Sequence, residues 1–301
     1  MAGSMIQNDP DSRERFNFSV GLRTASRAFF TSVTLLQNFK VILPVLLYLL
    51  LQILLVAAYV NSLAEPWTTF WAAFAQGISS EALGHFPGHL ILMQPILGRV
   101  EIFLDSFVHI IFQAATVSLI ASAFRKKGAS IGASFRLAGS RYFRLVGISV
   151  ISSVAVFAAI NIARSLSSGF DGLTRIAISG SGVVVALLIQ VLFLYAITLI
   201  IYKDQPFWKV IPGSVRFALR FPIPSLLIVL IPFIVTMPTT FLSLKSEMIA
   251  LQLAPDFMIH SRIASLVMES IATYLITAGA VIFYIHRTTE VHESSSMEGK
   301  R

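Results

Sequence analysis

The chain has no cysteine. That excludes disulfides, thiolate metal sites, iron–sulfur clusters and a cysteine nucleophile. It is also poor in charge. Asp, Glu, Lys and Arg make up 13% of its 301 residues, against roughly a quarter in soluble domains. No Walker A loop, GxGxxG fingerprint, HExxH pair or EF-hand loop occurs. There is no Gly-x-Ser-x-Gly elbow either, and Ser179-Gly180-Ser181-Gly182 reads as a flexible outer turn. On these grounds no cofactor and no catalytic residue is expected, and an enzyme is not the leading reading. Residues 1–15 carry Asp9, Asp11, Arg13, Glu14 and Arg15; they read as a polar tail, without the pattern of a secretory leader.

What the chain has is apolar residues. They make up 55% of it, and its mean hydropathy is +0.78. That composition belongs to a polytopic membrane protein. Lys and Arg (23) exceed Asp and Glu (15), for a net charge of +8. The positive charges fall beside the hydrophobic runs, which suits membrane topology and not nucleic-acid binding.

Hydropathy predicts six spanning helices within one integral domain over 16–286. They fall at about 41–59, 99–124, 145–163, 182–202, 225–242 and 263–285. The first is an almost unbroken aliphatic run with Pro44 in its first turn, where it costs little. Pro232 and Pro238 predict kinks or breaks in the fifth. Residues 63–97 form the longest connection, with Trp67, Phe70, Trp71 and Phe74 expected at the membrane–water boundary. A surface loop is favoured there over a re-entrant segment. His85 and His89 are four apart, but Pro87 argues against one helix face and no third metal ligand is near. The polar tail, 287–301, is expected to be disordered.

Three shorter stretches, 16–38, 130–144 and 205–221, place apolar and basic residues on opposite helical faces. Pro212 is expected to open the third of these helices. They are expected to be amphipathic helices in the cytoplasmic interface. Arg23, Arg27, Arg136, Arg141, Arg216 and Arg220 are then candidate contacts to anionic lipids. The plainer alternative is that these charges only enforce topology. All Lys and Arg except Arg99, Arg164, Arg175, Lys245 and Arg262 are assigned to the side of the termini. The positive-inside rule then makes both termini cytoplasmic.

The cytoplasmic pieces share Arg-x-Ala: Arg23-Thr24-Ala25, Arg136-Leu137-Ala138 and Arg216-Phe217-Ala218. The predicted fold is all-α, three units of interfacial helix plus two-span hairpin, each unit returning to the same side. Gly21-Leu22-Arg23-Thr24-Ala25 and Gly213-Ser214-Val215-Arg216-Phe217-Ala218, each before a span, resemble a broad group of bacterial six-span proteins. That group includes YciC-like membrane proteins and the membrane domains attached to some glycerophosphodiester phosphodiesterases. The resemblance implies a bacterial inner-membrane location and an integral domain of poorly defined role; no phosphodiesterase domain is present, and no functional residues transfer.

One polar stripe interrupts the second span: Glu101, Asp105, His109 and Gln113, each four residues from the next. On a helix they share one slowly drifting face, which must meet protein or water. Asn161, Arg164, Arg262 and Glu269 are expected at a similar depth in the outer half. An ion-pair network among these groups is the first reading. A solute or proton site using Asp105, His109 and Glu269 is the second, and a metal held by those three the weakest. The leading function is a scaffold or accessory subunit, partnered by lipid, other membrane proteins or further copies of the chain. A small-solute or proton-coupled transporter is the alternative, and an intramembrane lipid-modifying enzyme comes third. A cavity reaching Asp105 and Glu269 would favour transport. A closed contact between Arg164 and the carboxylates would favour a structural role.

Overall fold

In this computed structural model the described residues are 18–61, 88–125, 128, 130–244 and 257–298. The aromatic strip at 67–74, His85 and the loop at 245–256 lie outside them. Three times, a short helix precedes two long ones. The first set is α1 (Phe18–Leu35), α2 (Phe39–Val60), then α3 (Gly88–Leu104), one π-helical turn (Asp105–His109) and α4 (Ile110–Phe124) in series. The second is α5 (Ile131–Ser140), α6 (Tyr142–Ser167), then α7 (Gly172–Phe193) continued as α8 (Ala196–Lys203). The third is α9 (Phe207–Arg220), α10 (Pro222–Leu244) and α11 (Phe257–Glu298).

Among the described residues six stretches are long and apolar enough to cross a membrane. They are Phe39–Val60, Ile96–Phe124, Tyr142–Ser167, Gly172–Lys203, Pro222–Thr239 and Phe257–Thr289. The protein is an all-α polytopic membrane protein, with its spans close to where hydropathy predicts them. Local chemistry sets several boundaries. Asn38 caps α2 by accepting from the Lys40 N–H at 3.2 Å, and Ser130 caps α5 by accepting from Ala133 at 3.4 Å. Asp204 ends α8 in the left-handed region, φ 51°.

The last span is the axis of the bundle: 61% of its apolar window is buried, against 11% for the third span. It packs against α10, α1, α4 and α2. Apolar attraction between helices is weak in lipid, so close approach of small residues must hold such contacts. Ala114, Ala115, Ala278 and Ala280 provide it here, all buried. A smaller cluster of Tyr59, Met93, Ile96, Leu97 and Leu266 closes the end of the bundle away from the short helices.

Four expectations change. The Ser179–Gly182 run is not a turn; it lies inside α7, which begins at Gly172, and the turn is confined to residues 168–171. Pro212 does not open α9 but sits inside it. Pro212 is exposed, so the carbonyl it leaves unpaired faces outward, where a polar environment can satisfy it. Of the kinks or breaks expected at Pro232 and Pro238, the breaks do not occur: α10 runs through both. Helix α11 continues to Glu298, through most of the tail expected to be unstructured; extending an existing helix needs no new nucleus.

The fourth span does break, at Leu194–Tyr195, with neither Gly nor Pro there. Ser214 of α9 fills the gap. It accepts from the Tyr195 N–H at 3.2 Å and donates to the Leu192 carbonyl at 2.6 Å. A side chain inserted into the helical ladder is one of the few causes of such a break. Ser225 already donates to the Phe221 carbonyl at 2.7 Å, so the Tyr195 hydroxyl is the donor in its 2.8 Å bond to Ser225. All three side chains are fully buried. Ser214→Ala leaves a backbone donor and acceptor dry. It should destabilise the protein by about 1–2 kcal/mol, read as a lower unfolding midpoint in mild detergent.

Arg141 and Arg144 clamp the far end of the same span. Arg141 donates to the carbonyls of Ile200 and Ile201, the latter at 2.8 Å, and pairs with Asp204 at 3.2 Å. Arg144 pairs with Asp204 at 3.1 Å. These are the orphan carbonyls and the negative dipole end of α8. Burial lowers the Arg141 pKa, Asp204 works the other way, and Arg144 lowers it further; an arginine stays charged regardless.

Candidate functional site

The polar stripe lies on the π-helical turn. In an α-helix each four-residue step overshoots one turn by about 40°. Over three steps that would carry Gln113 well away from Glu101. A π turn bonds i to i+5 and takes in an extra residue, which offsets the drift where Asp105 and His109 sit. Tyr48 of α2 reaches both. Its hydroxyl donates to Asp105 Oδ1 at 2.6 Å, and its ring stacks on His109 with centroids 4.3 Å apart. His109 Nδ1 stands 3.7 Å from Asp105, too far for a hydrogen bond.

The stripe divides into parts. Glu101 forms an ion pair with Arg262 of α11, and both are largely buried. Gln113 donates to Thr277 at 2.9 Å, a second tie between the same helices. Glu269 accepts from Ser265 at 2.8 Å and lies near enough to Arg262 to act on its charge. Asp105 and Glu269 both act on Tyr48. Among the described residues neither Asp105 nor Glu269 has a salt bridge to Lys or Arg.

Those two carboxylates line one cavity of about 320 Å³, with Tyr48, Gln52, His109, Gln113, Gln190 and several Ser and Thr around them. The volume falls within the range of small-molecule sites, about 300–1,000 Å³. Gln52 and Ser270 are each 8% exposed and make no hydrogen bond among the described residues. Neither residue has a polar atom that is both closed off and unpartnered among the described residues; the amide and hydroxyl open onto the cavity, where water or a solute can satisfy them. A second cavity of about 250 Å³ shares Gln113, Ser149, Ser153, Gln190 and Thr273 with the first. It continues toward the short helices and is lined by Leu194, at the break in the fourth span. Irregular backbone at membrane depth is tolerated where it borders a cavity.

Depth follows from the helical rise. Asp105, Glu269 and Tyr48 lie about 14–18 Å from the ends of their spans remote from the short helices. Counted along their helices, the three therefore lie at a similar distance from that end of the bundle.

Other candidates are placed elsewhere. Asn161 donates to the Phe157 carbonyl of its own helix at 2.8 Å, and Arg164 is exposed; neither joins the carboxylates. Among the described residues no three His, Asp or Glu side chains are grouped to hold a metal. Of the six basic candidates for lipid contact, Arg23, Arg27, Arg136, Arg216 and Arg220 are exposed, and Arg141 is turned into the protein. The polar side chains not foreseen as part of the site are Tyr48, Gln52, Ser149, Ser153, Gln190, Ser270 and Thr273. Tyr48 and Gln52 were detectable as an i, i+4 polar pair on an otherwise aliphatic span. The chain matches no protein-family model, no curated protein and no solved structure.

Proposed function

We propose that the protein is a multi-pass inner-membrane protein, termini cytoplasmic, that binds a small cationic solute at mid-membrane and carries it across. The single observation behind this is the polar cavity. It joins two carboxylates that make no salt bridge to Lys or Arg among the described residues to an amide and a hydroxyl, of Gln52 and Ser270, that make no hydrogen bond among them. Composition alone favours a scaffold, but an acidic cavity inside a bundle is costly to maintain without an occupant. One arginine, Arg262, stands against three carboxylates, and Glu101 takes it. A monovalent cation between Asp105 and Glu269 offsets half of the charge that Arg262 leaves, and Gln52, Ser270 and Tyr48 supply oxygens to it. The exposed arginines of α1, α5 and α9 suit contact with anionic lipids of the inner leaflet.

The test is uptake of radiolabelled methylammonium, with proton flux followed by an internal pH dye, in proteoliposomes of the full chain. Asp105→Asn and Glu269→Gln should each lower the flux or the apparent affinity at least about tenfold, the worth of one charge-assisted contact. Unchanged flux in folded variants would remove both groups from the mechanism, and no flux in the parent protein would overturn the reading.

A second reading, a scaffold, is favoured by the α6–α7 hairpin. Val154, Phe157, Ile162, Leu166, Leu173 and Ile176 are exposed along it. Lipid alone satisfies such a face, so this reading needs a recovered oligomer or stable partner after gentle extraction. Recovery solely as a monomer in several mild detergents counts against it.

A further inference from the structure

On the bilayer side of the π turn lies a separate crevice of about 380 Å³. Its walls are Ile102, Phe103 and Phe107 of the second span and Val150, Val154 and Phe157 of α6. It is apolar apart from Arg99 at its outer end and Ser106 and Ser153 on its inner side. Ser153 also lines both polar cavities. The Ser106 and Ser153 hydroxyls approach to 3.4 Å, the long end of a hydrogen bond. The Ser106–Ser153 contact therefore lies between an apolar crevice and a cavity holding two carboxylates.

The helix on the far side of this partition, α6, has the lowest buried share of the six spans, and its largest contact is with α7, the other arm of its hairpin. Only 11% of the apolar window of the third span is buried. Most of its packing is against α7, a contact kept when the two helices move together, and Val154 and Phe157 already face outward. Arg99 is six residues from Asp105, about 9 Å along the helix, so the path runs from a basic residue at the rim to two carboxylates inside.

Resting on the cavity reading above, we infer that the ligand enters sideways from the bilayer, between the second and third spans. It is an amphipathic amine: its ammonium group sits between Asp105 and Glu269, and its hydrocarbon tail lies in the crevice. The tail gains little over lipid, since one apolar surroundings replaces another. The crevice thus supplies a route and a shape, and the carboxylates supply the affinity.

The test compares octylamine with methylammonium on the full chain in lipid nanodiscs and vesicles. Within one vesicle composition, partitioning into the bilayer is the same for all variants and cancels. Val154→Trp fills the crevice without touching the polar cavity. It should weaken saturable octylamine binding about tenfold or more while methylammonium uptake stays within about twofold. Because the chain has no cysteine, Ser106→Cys with Ser153→Cys gives a reversible check. Oxidation should stop octylamine entry and reduction should restore it, which separates closure from misfolding. Octanoate, with a tail of the same length, should not compete.

Octylamine binding unaffected by Val154→Trp and by oxidation overturns lateral entry but leaves the cavity reading standing. Competition by octanoate as strong as by octylamine also overturns it and makes the crevice a lipid-anion site at Arg99. Loss of response to Asp105→Asn and Glu269→Gln, for methylammonium as well, would instead bring down the cavity reading itself.

Discussion

Replacing Arg262 with leucine should destabilise the protein by about 3–5 kcal/mol, the range for stranding one partner of a buried ion pair. Arg262 is 4% exposed and Glu101 17%. The substitution leaves Glu101 in a dry contact between α3 and α11 and removes the positive charge that acts on Glu269. Glu101→Leu should be milder, because Arg262 keeps Glu269 within range. Replacing both residues by leucine should recover most of the loss, since an apolar pair carries no desolvation penalty. The Arg262 Nε has no partner among the described residues, so the native pair is itself imperfectly satisfied there. A double-mutant cycle on unfolding in mild detergent measures the coupling. A loss below about 1 kcal/mol for Arg262→Leu would mean that water reaches the pair, and that the end of the bundle is not the dry seal inferred from its burial.

The seal and the cavity share α11. Arg262 and Glu269 lie two turns apart on it, one committed to Glu101 and the other facing the cavity. Loss of Arg262 should therefore weaken the fold yet make the cavity more attractive to a cation. A site in which stability and binding move in opposite directions is expected where function holds like charges together.

The six spans are legible in the sequence because unbroken hydrophobicity is a one-dimensional property, independent of which neighbour each helix finds. The Glu101–Gln113 stripe is legible for a similar reason, since its four-residue spacing belongs to one helix. The partners are not. Asn161 and Arg164 stand near the depth of Glu101, but their side chains do not reach it; depth follows from counting residues, azimuth from packing. Arg262 takes Glu101 because its helix presents that face to α3. The π turn leaves no mark in residue identity. The break at Leu194–Tyr195 is set by Ser214, some twenty residues later, and no window on the span itself contains its cause. Ser179–Gly182 misleads in the opposite direction: small residues that favour turns in water also favour close helix contact in lipid.

That close contact carries the second large effect. Helices α6 and α7 form the most extensive helix pair in the protein, and Gly182 sits where they approach most closely. A Cβ placed there would overlap the Ala163 Cβ and touch the Ala159 carbonyl oxygen at 3.4 Å. Ala163 is buried and has no rotamer to swing aside, so relief requires the backbones to part. Ala159, Ala163 and Ser167 repeat every four residues along the facing side, and Ser167 accepts from Ser179 at 3.1 Å. Gly182→Leu should therefore cost about 3 kcal/mol, the upper end for overpacking. Gly182→Ala should cost less, and Ala163→Gly added to Gly182→Ala should restore most of the stability by handing the missing methyl to the other helix. Unfolding midpoints of the four proteins in one detergent decide it. If Gly182→Leu is tolerated within about 1 kcal/mol, the hairpin is loose in lipid and its exposed face cannot serve as a rigid docking surface. If the compensating glycine rescues it, the α6–α7 hairpin moves as one body, which is what a sideways opening at Ser106–Ser153 requires of the third span.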